Sequence, residues 1–196
     1  MLTLHRVRGV RLVPDGAPAA GHAVLVDGDR IAAIGPYEEL LAACGTEVPP
    51  GRAQPGARGR ARVREWDGVL TPGRTEPDGA ALLEAVYHPD PREAGELGSE
   101  PIGGAALAAL DMTEARWGAS ARRGLQRLLA LGTTALTGPF TRPAVRTAVQ
   151  RSGLAEVPGG RPRALTVGGA ADFAVFAEDG SALVTVLAGR LVHRRR

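Results

Sequence analysis

Apolar and polar positions follow different rhythms in three stretches of the chain. From Leu2 to Val13 aliphatic residues alternate loosely with Arg and His, and Pro14-Asp15-Gly16 then supplies turn chemistry. The run His22-Ala23-Val24-Leu25-Val26 is followed by Asp27-Gly28-Asp29 and by Arg30-Ile31-Ala32-Ala33-Ile34-Gly35. Asp-Gly between two apolar runs predicts a tight hairpin, because such a turn needs positive φ. Pro36 and Gly45 bracket a short helix over residues 37–44. Residues 46–60, rich in Gly, Pro and Arg, predict a flexible excursion, and Val63-Arg64-Glu65-Trp66 reads as an edge strand.

The middle reads as helical. A helix is predicted over residues 80–87, ended by His88-Pro89-Asp90-Pro91 because proline removes a backbone donor and crowds the preceding turn. Residues 105–110 suit a short helix. A longer one runs from Thr113 to Leu131, with Leu125, Leu128 and Leu129 at helical spacing and Gly132 as its stop. Residues 133–137 suit a short buried strand, and Thr141 or Arg142 caps a helix that closes at Ser152-Gly153. Strands return at residues 171–176, and residues 183–187 and 190–193 form a second hairpin around Ala188-Gly189. This order predicts an α+β protein. Its β-sandwich is built from residues 1–73 and 164–196, with a mainly helical insertion over 74–163 carrying one or two strands.

Composition narrows the chemistry. At 196 residues the chain is short of the roughly 250 that a full (β/α)₈ barrel takes. Apolar residues make up 44% and charged residues 23%, enough for a real core, while 27 Gly and 15 Pro predict long connections. All 24 basic residues are Arg, which excludes Schiff-base lysines, a Walker lysine and a carbamylated-lysine metal bridge. The single cysteine, Cys44, excludes an intramolecular disulfide and a Cys-based zinc cluster, and its apolar stripe assigns it to the core. Charges interrupt the first eight residues, where a signal peptide needs an apolar stretch, and no run approaches the about 18 apolar residues of a membrane span. A soluble, cytoplasmic protein with no membrane partner is expected. Arg58, Arg60, Arg62 and Arg64 alternate with small residues; a solvated face competes with an anion site there. No recognised nucleic-acid fold accompanies them, so a nucleic-acid partner is not expected.

Four segments together resemble the amidohydrolase superfamily. Val26-Asp27-Gly28-Asp29-Arg30-Ile31-Ala32-Ala33-Ile34-Gly35 resembles its opening sandwich hairpin, and Gly68-Val69-Leu70-Thr71-Pro72-Gly73 the lead into its first barrel strand. Gly168-Gly169-Ala170-Ala171-Asp172-Phe173-Ala174-Val175-Phe176 resembles the return to the sandwich, and Val186-Leu187-Ala188-Gly189-Arg190-Leu191-Val192-His193 its closing hairpin. The flavour is that of the imidazolonepropionase and aminodeoxyfutalosine deaminase-like composite domain. Leu128-Leu129-Ala130-Leu131-Gly132-Thr133-Thr134 is similar to a helix-to-strand passage within the barrel. The resemblance implies hydrolysis of non-peptide C–N bonds by hydroxide generated on a divalent metal. It also implies a His-x-His pair just after Pro72-Gly73, where this chain has Arg74-Thr75-Glu76-Pro77-Asp78. Of four histidines, His5, His22 and His193 lie in the terminal strand segments and only His88 in the middle. Between Thr134 and Gly168 the chain has room for one helix and a connection, not for six barrel strands.

The remaining constellation is Glu84, His88 and Asp90, with Asp78 upstream. Glu84 and His88 share a face if the helix continues to His88, and would then serve as an acid/base pair or hold a metal with outside ligands. The competing structural reading has His88 capping a helix end and Asp90 forming a turn before Pro91. Trp117, beside Arg116 and near Arg122 and Arg123, either anchors helix packing or stacks a guanidinium. The Gly103-Gly104 and Gly159-Gly160 pairs lack the context of phosphate loops, and Ser99, Ser120 and Ser152 lack a nucleophile elbow. The expectation is an amidohydrolase-like protein with no cofactor and no metal of its own, binding a small-molecule ligand or a related enzyme. The alternative is an active C–N hydrolase or deaminase rebuilt around His88, which a homo-oligomer would complete by pairing two such clusters.

Overall fold

The computed structural model describes residues 1–44, 61–158 and 163–195. In chain order the first elements are β1 (Leu2–Arg6), β2 (Gly9–Val10), β3 (Ala19–Ala20), β4 (His22–Asp27), β5 (Arg30–Pro36), α1 (Tyr37–Ala43), β6 (Arg62–Glu65) and β7 (Val69–Pro72). Next come β8 (Arg74–Glu76), α2 (Gly79–Glu84), β9 (Val86–Tyr87), a 3₁₀ turn (Pro91–Glu93), α3 (Ala94–Leu97), β10 (Ile102–Gly103), α4 (Gly104–Ala108) and α5 (Glu114–Ala130). The remainder are β11 (Thr133–Leu136), α6 (Pro143–Ser152), β12 (Ala155–Glu156), β13 (Phe173–Phe176), β14 (Ala182–Leu187) and β15 (Arg190–Arg194). The result is a mixed α/β structure with several sheets and, among the described residues, no closed barrel. It divides into two compact units, Met1–Gly73 with Pro162–Arg196 and Arg74–Arg161. Among the described residues no helix is long and apolar enough to cross a membrane. The expected excursion over 46–60 with Arg58 and Arg60, the Gly159-Gly160 pair and Arg196 lie outside the described residues.

The first unit holds two sheets. One has the order β5-β4-β1-β6, the other β15-β14-β13-β7-β2-β3. The predicted hairpin is β4 with β5, antiparallel, and Gly28 carries the positive φ (60°) that its turn requires. Alternation gives the four-stranded sheet two apolar faces. Leu4, Ala23 and Leu25 pack under α1 with Cys44, which is buried as expected, while Val24, Val26 and Ile31 face the other way. They join Val10, Leu70, Phe173, Val175, Val184 and Val186 of the six-stranded sheet in one aliphatic core. Truncating one of the larger members to Ala costs about 2–5 kcal/mol.

The loosely alternating stretch from Leu2 to Val13 forms two strands, β1 and β2, in different sheets. The Arg6 carbonyl still accepts from the Trp66 N–H, at 3.0 Å, whereas the Arg8 N–H donates to Gly68 O at 2.9 Å, so the chain changes sheets between them. The second predicted hairpin, β14 with β15, turns at Ala188-Gly189 with φ of 45° and 71°.

The second unit contains more strand than its hydrophobic pattern predicts. A parallel sheet of order β12-β11-β8 forms its frame, with α2 and α5 between β8 and β11, and α6 between β11 and β12. Every residue of β11 is buried. Helix α5 starts at Thr113, whose hydroxyl accepts from the Arg116 N–H at 3.2 Å, and Gly132 follows it at φ 82°. The helix expected over 80–87 ends at Glu84, because Val86 and Tyr87 pair antiparallel with Gly103 and Ile102. That pairing removes the premise that Glu84 and His88 share a helical face.

Candidate functional site

In β/α units functional groups gather where parallel strands end, because the loops beyond the carboxyl ends are free to carry them. Here β8, β11 and β12 end at the same level, with Leu136 in register with Glu76 on one side and Glu156 on the other. Glu76 Oε1 accepts from the Asp78 N–H at 3.0 Å, which fixes the carboxylate over the start of α2. The Thr137 N–H donates to Glu76 O at 2.9 Å, and the Val157 N–H to Leu136 O at 3.0 Å, so backbone bonds extend past the strand ends. The Thr137 hydroxyl is buried and finds no partner among the described residues. Two glycines permit the closeness. A Cβ at Gly79 would lie 2.8 Å from Thr137 O, and one at Gly138 would overlap Oε1 of Glu156. The edge therefore offers two carboxylates and one hydroxyl, all able to accept hydrogen bonds.

This set does not suit the divalent metal that the resemblance implies. The first parallel strand, β8, is Arg74-Thr75-Glu76, without an imidazole. Among the described residues no group of three or more His, Cys, Asp and Glu side chains could hold a metal ion. No hydrolytic step through a metal follows from these residues. Glu156 and Thr137 were missed in the sequence; the β-α-β order over 133–156 was the signal that could have found them.

Hydrogen bonds send the four residues singled out in the sequence to separate tasks. Glu84 reaches α6: its Oε2 accepts from the Thr141 hydroxyl at 2.8 Å and its Oε1 from the Arg142 N–H at 2.7 Å. Arg142, the cap residue, makes no side-chain cap bond of its own, so Glu84 supplies the missing acceptor. Asp90 heads the 3₁₀ turn in a capping box with Glu93, and its Oδ2 accepts from Arg123 Nη1 at 3.1 Å. Asp78 precedes α2 without a side-chain cap.

His88 is buried. Its Nε2 lies 3.2 Å from Leu82 O in the last turn of α2, its N–H donates to Ser120 Oγ at 2.9 Å, and its carbonyl accepts from Arg123 Nε at 2.7 Å. An Nε2–H donor to Leu82 leaves Nδ1 as an acceptor, and Nδ1 finds no partner among the described residues. Burial lowers the His88 pKa; the Leu82 bond opposes this and the Arg127 and Arg123 charges reinforce it. A neutral ring caps the helix end.

Two further aromatic placements differ from the sequence reading. The guanidinium over Trp117 belongs to Arg142, 4.3 Å from the ring centroid. Arg116 and Arg123 lie over Tyr87 instead, at 4.7 and 5.6 Å. The Tyr87 hydroxyl donates to Glu93, which also accepts from Arg116 Nη2 at 2.8 Å, and these bonds hold the Glu93 carboxyl below the usual range.

Residues 23–43, which include most of β4 and all of β5 and α1, match the imidazolonepropionase-like composite domain of bacteria. No curated protein matches the chain. Among solved structures, A. niger ochratoxinase is similar at 16% identity and TM-score 0.45, covering 80% of this chain and 30% of that one. A zinc-bound adenosine deaminase from Xanthomonas campestris is similar at 16% identity and TM-score 0.47, over 78% of this chain and 32% of that one. E. coli guanine deaminase is similar at 15% and 0.46, over 79% and 34%. The chain thus spans about a third of the length of these enzymes, and the stretch that matches the composite-domain model lies wholly within the first unit.

Proposed function

We propose that this chain is a degenerate relative of the amidohydrolase superfamily: a composite domain whose two sheets form a β-sandwich, with β/α units in place of most of the barrel. It acts as a cytoplasmic binding module without metal-dependent hydrolysis of its own. The observation that carries this reading is the end of β8, where Arg74-Thr75-Glu76 stands in place of an imidazole pair. The ligand it favours is a small cyclic amide, amidine or aminopurine, because Glu76, Glu156 and Thr137 are acceptors suited to ring N–H groups.

The full chain, supplied with zinc or manganese, is assayed for hydrolysis of cyclic amides, imidazolones and aminopurines, and the same compounds are screened for thermal stabilisation. The expected result is stabilisation by one of these classes, lost in Glu156→Gln, with no turnover. Metal-dependent turnover by the wild type overturns it. The second reading, hydrolysis at a site around His88, draws on the unpartnered Nδ1 of that residue. It requires metal-independent turnover that His88→Gln abolishes while the variant stays folded.

A further inference from the structure

The arginines of β6 have no role in the strand-end site. β6 is the edge of the four-stranded sheet and β15 the edge of the six-stranded one. Register sets Arg62 beside Thr3 and Arg64 beside His5, and in-register neighbours share a face. That face is the inner one. His5 is buried edge-on against Phe173, with ring centroids 5.0 Å apart, and its other neighbour Val24 belongs to the core. On β15, Arg194 stands opposite Val184, also a core residue. Three arginines therefore take inward-register positions on edge strands of two sheets whose inner faces share a hydrophobic core, Arg64 half-buried and Arg62 and Arg194 exposed at the edge.

The two edges meet. Trp66, which directly follows β6, donates from Nε1 to His5 Nδ1 at 3.1 Å, and the Arg194 guanidinium lies 5.4 Å from its ring centroid. The charges of Arg62 and Arg194 both bear on Arg64, which is itself half-buried. Nearby guanidiniums are neutralised: Arg6 by Glu65, Arg8 by Asp67 and Arg195 by Asp179. Among the described residues, no carboxylate pairs with Arg62, Arg64 or Arg194. One inward charge on an edge strand guards against pairing with another chain. Three that converge from two sheets, with no paired carboxylate among the described residues, repel one another and suit an outside anion.

We propose that Arg62, Arg64 and Arg194 form a binding site for a small phosphate-bearing molecule, with Trp66 holding the Arg194 guanidinium in place. Planar guanidinium forks match phosphate oxygens bidentately, and three of them favour a group carrying several negative charges over a single carboxylate. The site is independent of whether the chain hydrolyses anything.

Titration calorimetry and thermal shift on the full chain, with inorganic pyrophosphate at constant ionic strength, test it. Wild type binds and is stabilised; Arg64→Gln and Arg194→Gln bind about tenfold more weakly or worse. Without pyrophosphate, Arg64→Gln melts no lower than wild type, because a repelled charge has been removed. Arg190→Gln, which changes net charge equally on the same strand, binds as wild type does. Equal stabilisation of Arg64→Gln and wild type, or stabilisation reproduced by sodium chloride alone, overturns the site. Tighter binding of a single-stranded oligonucleotide, with a salt slope larger than three phosphates produce, overturns the assignment to a small molecule.

Discussion

Gly124 of α5 tests the packing of His88 directly. A Cβ at this position would lie 2.7 Å from His88 Nε2 and from Leu83 Cδ2, and 2.8 Å from His88 Cδ2. In an exposed helix interior, Gly→Ala stabilises by about 1 kcal/mol. Here the new methyl meets a buried ring anchored to Leu82 O, so the ring must leave that bond to make room. Overpacking of this kind costs about 1–3 kcal/mol, and the lost hydrogen bond about 1 kcal/mol more. Gly124→Ala should therefore be destabilised by about 1–3 kcal/mol after its helix gain is counted. Gly118 on the same helix is the control. A Cβ there would sit 3.4 Å from Ala144 Cβ, an ordinary contact, so Gly118→Ala should gain about 0.5–1 kcal/mol. The two variants should thus differ by about 1.5–4 kcal/mol, which at roughly 2–4 °C per kcal/mol in a chain of this size separates their melting temperatures by at least about 3 °C. Urea unfolding followed by far-ultraviolet circular dichroism measures both. If Gly124→Ala is as stable as Gly118→Ala, His88 does not pack against α5 as described.

Acid should reveal the buried His5. Its pKa is lowered from 6.5 to about 4, first by burial and then by Arg64, so the unfolded chain takes up the proton before the folded one. Stability present above pH 6.5 is lost as pH falls towards 4, by about 3 kcal/mol at 1.36 kcal/mol per unit. Unfolding curves at pH 7 and pH 4.5 should differ less in His5→Gln than in wild type; an equal drop contradicts the burial. Glu84→Ala should lower the urea midpoint by the equivalent of about 1 kcal/mol, since α6 loses the acceptor at its start. An unchanged midpoint would mean that the cap contributes nothing. At the β14–β15 turn, Ala188→Gly should stabilise by about 0.5–1 kcal/mol, because Ala188 holds a φ of 45° that glycine adopts freely. A lower melting temperature for this variant would contradict that turn.

The hairpins were legible because their signals are local. Asp27-Gly28 and Ala188-Gly189 each specify a turn within a few residues of sequence, and the flanking aliphatic runs supply the strands. Strands β8 and β12 were not legible. They are three and two residues long and carry Arg and Glu, and they exist because buried β11 offers both of its edges to them. The helix over 80–87 was read too long for a related reason. Nothing in Val86-Tyr87 itself breaks a helix, but pairing with Ile102-Gly103 takes those residues away. The acceptor-rich edge of Glu76, Thr137 and Glu156 joins residues far apart in sequence, so it became visible only once the parallel order was known. The inward register of Arg62 and Arg64 was hidden in the same way, since alternation alone does not say which face is inside.

Zinc content is the sharpest single readout. The full chain is incubated with excess zinc, desalted, and its bound metal counted by elemental mass spectrometry. With Arg74-Thr75-Glu76 where an imidazole pair would stand, retention far below one ion per chain is the predicted result. One tightly retained ion per chain would contradict the account at its centre.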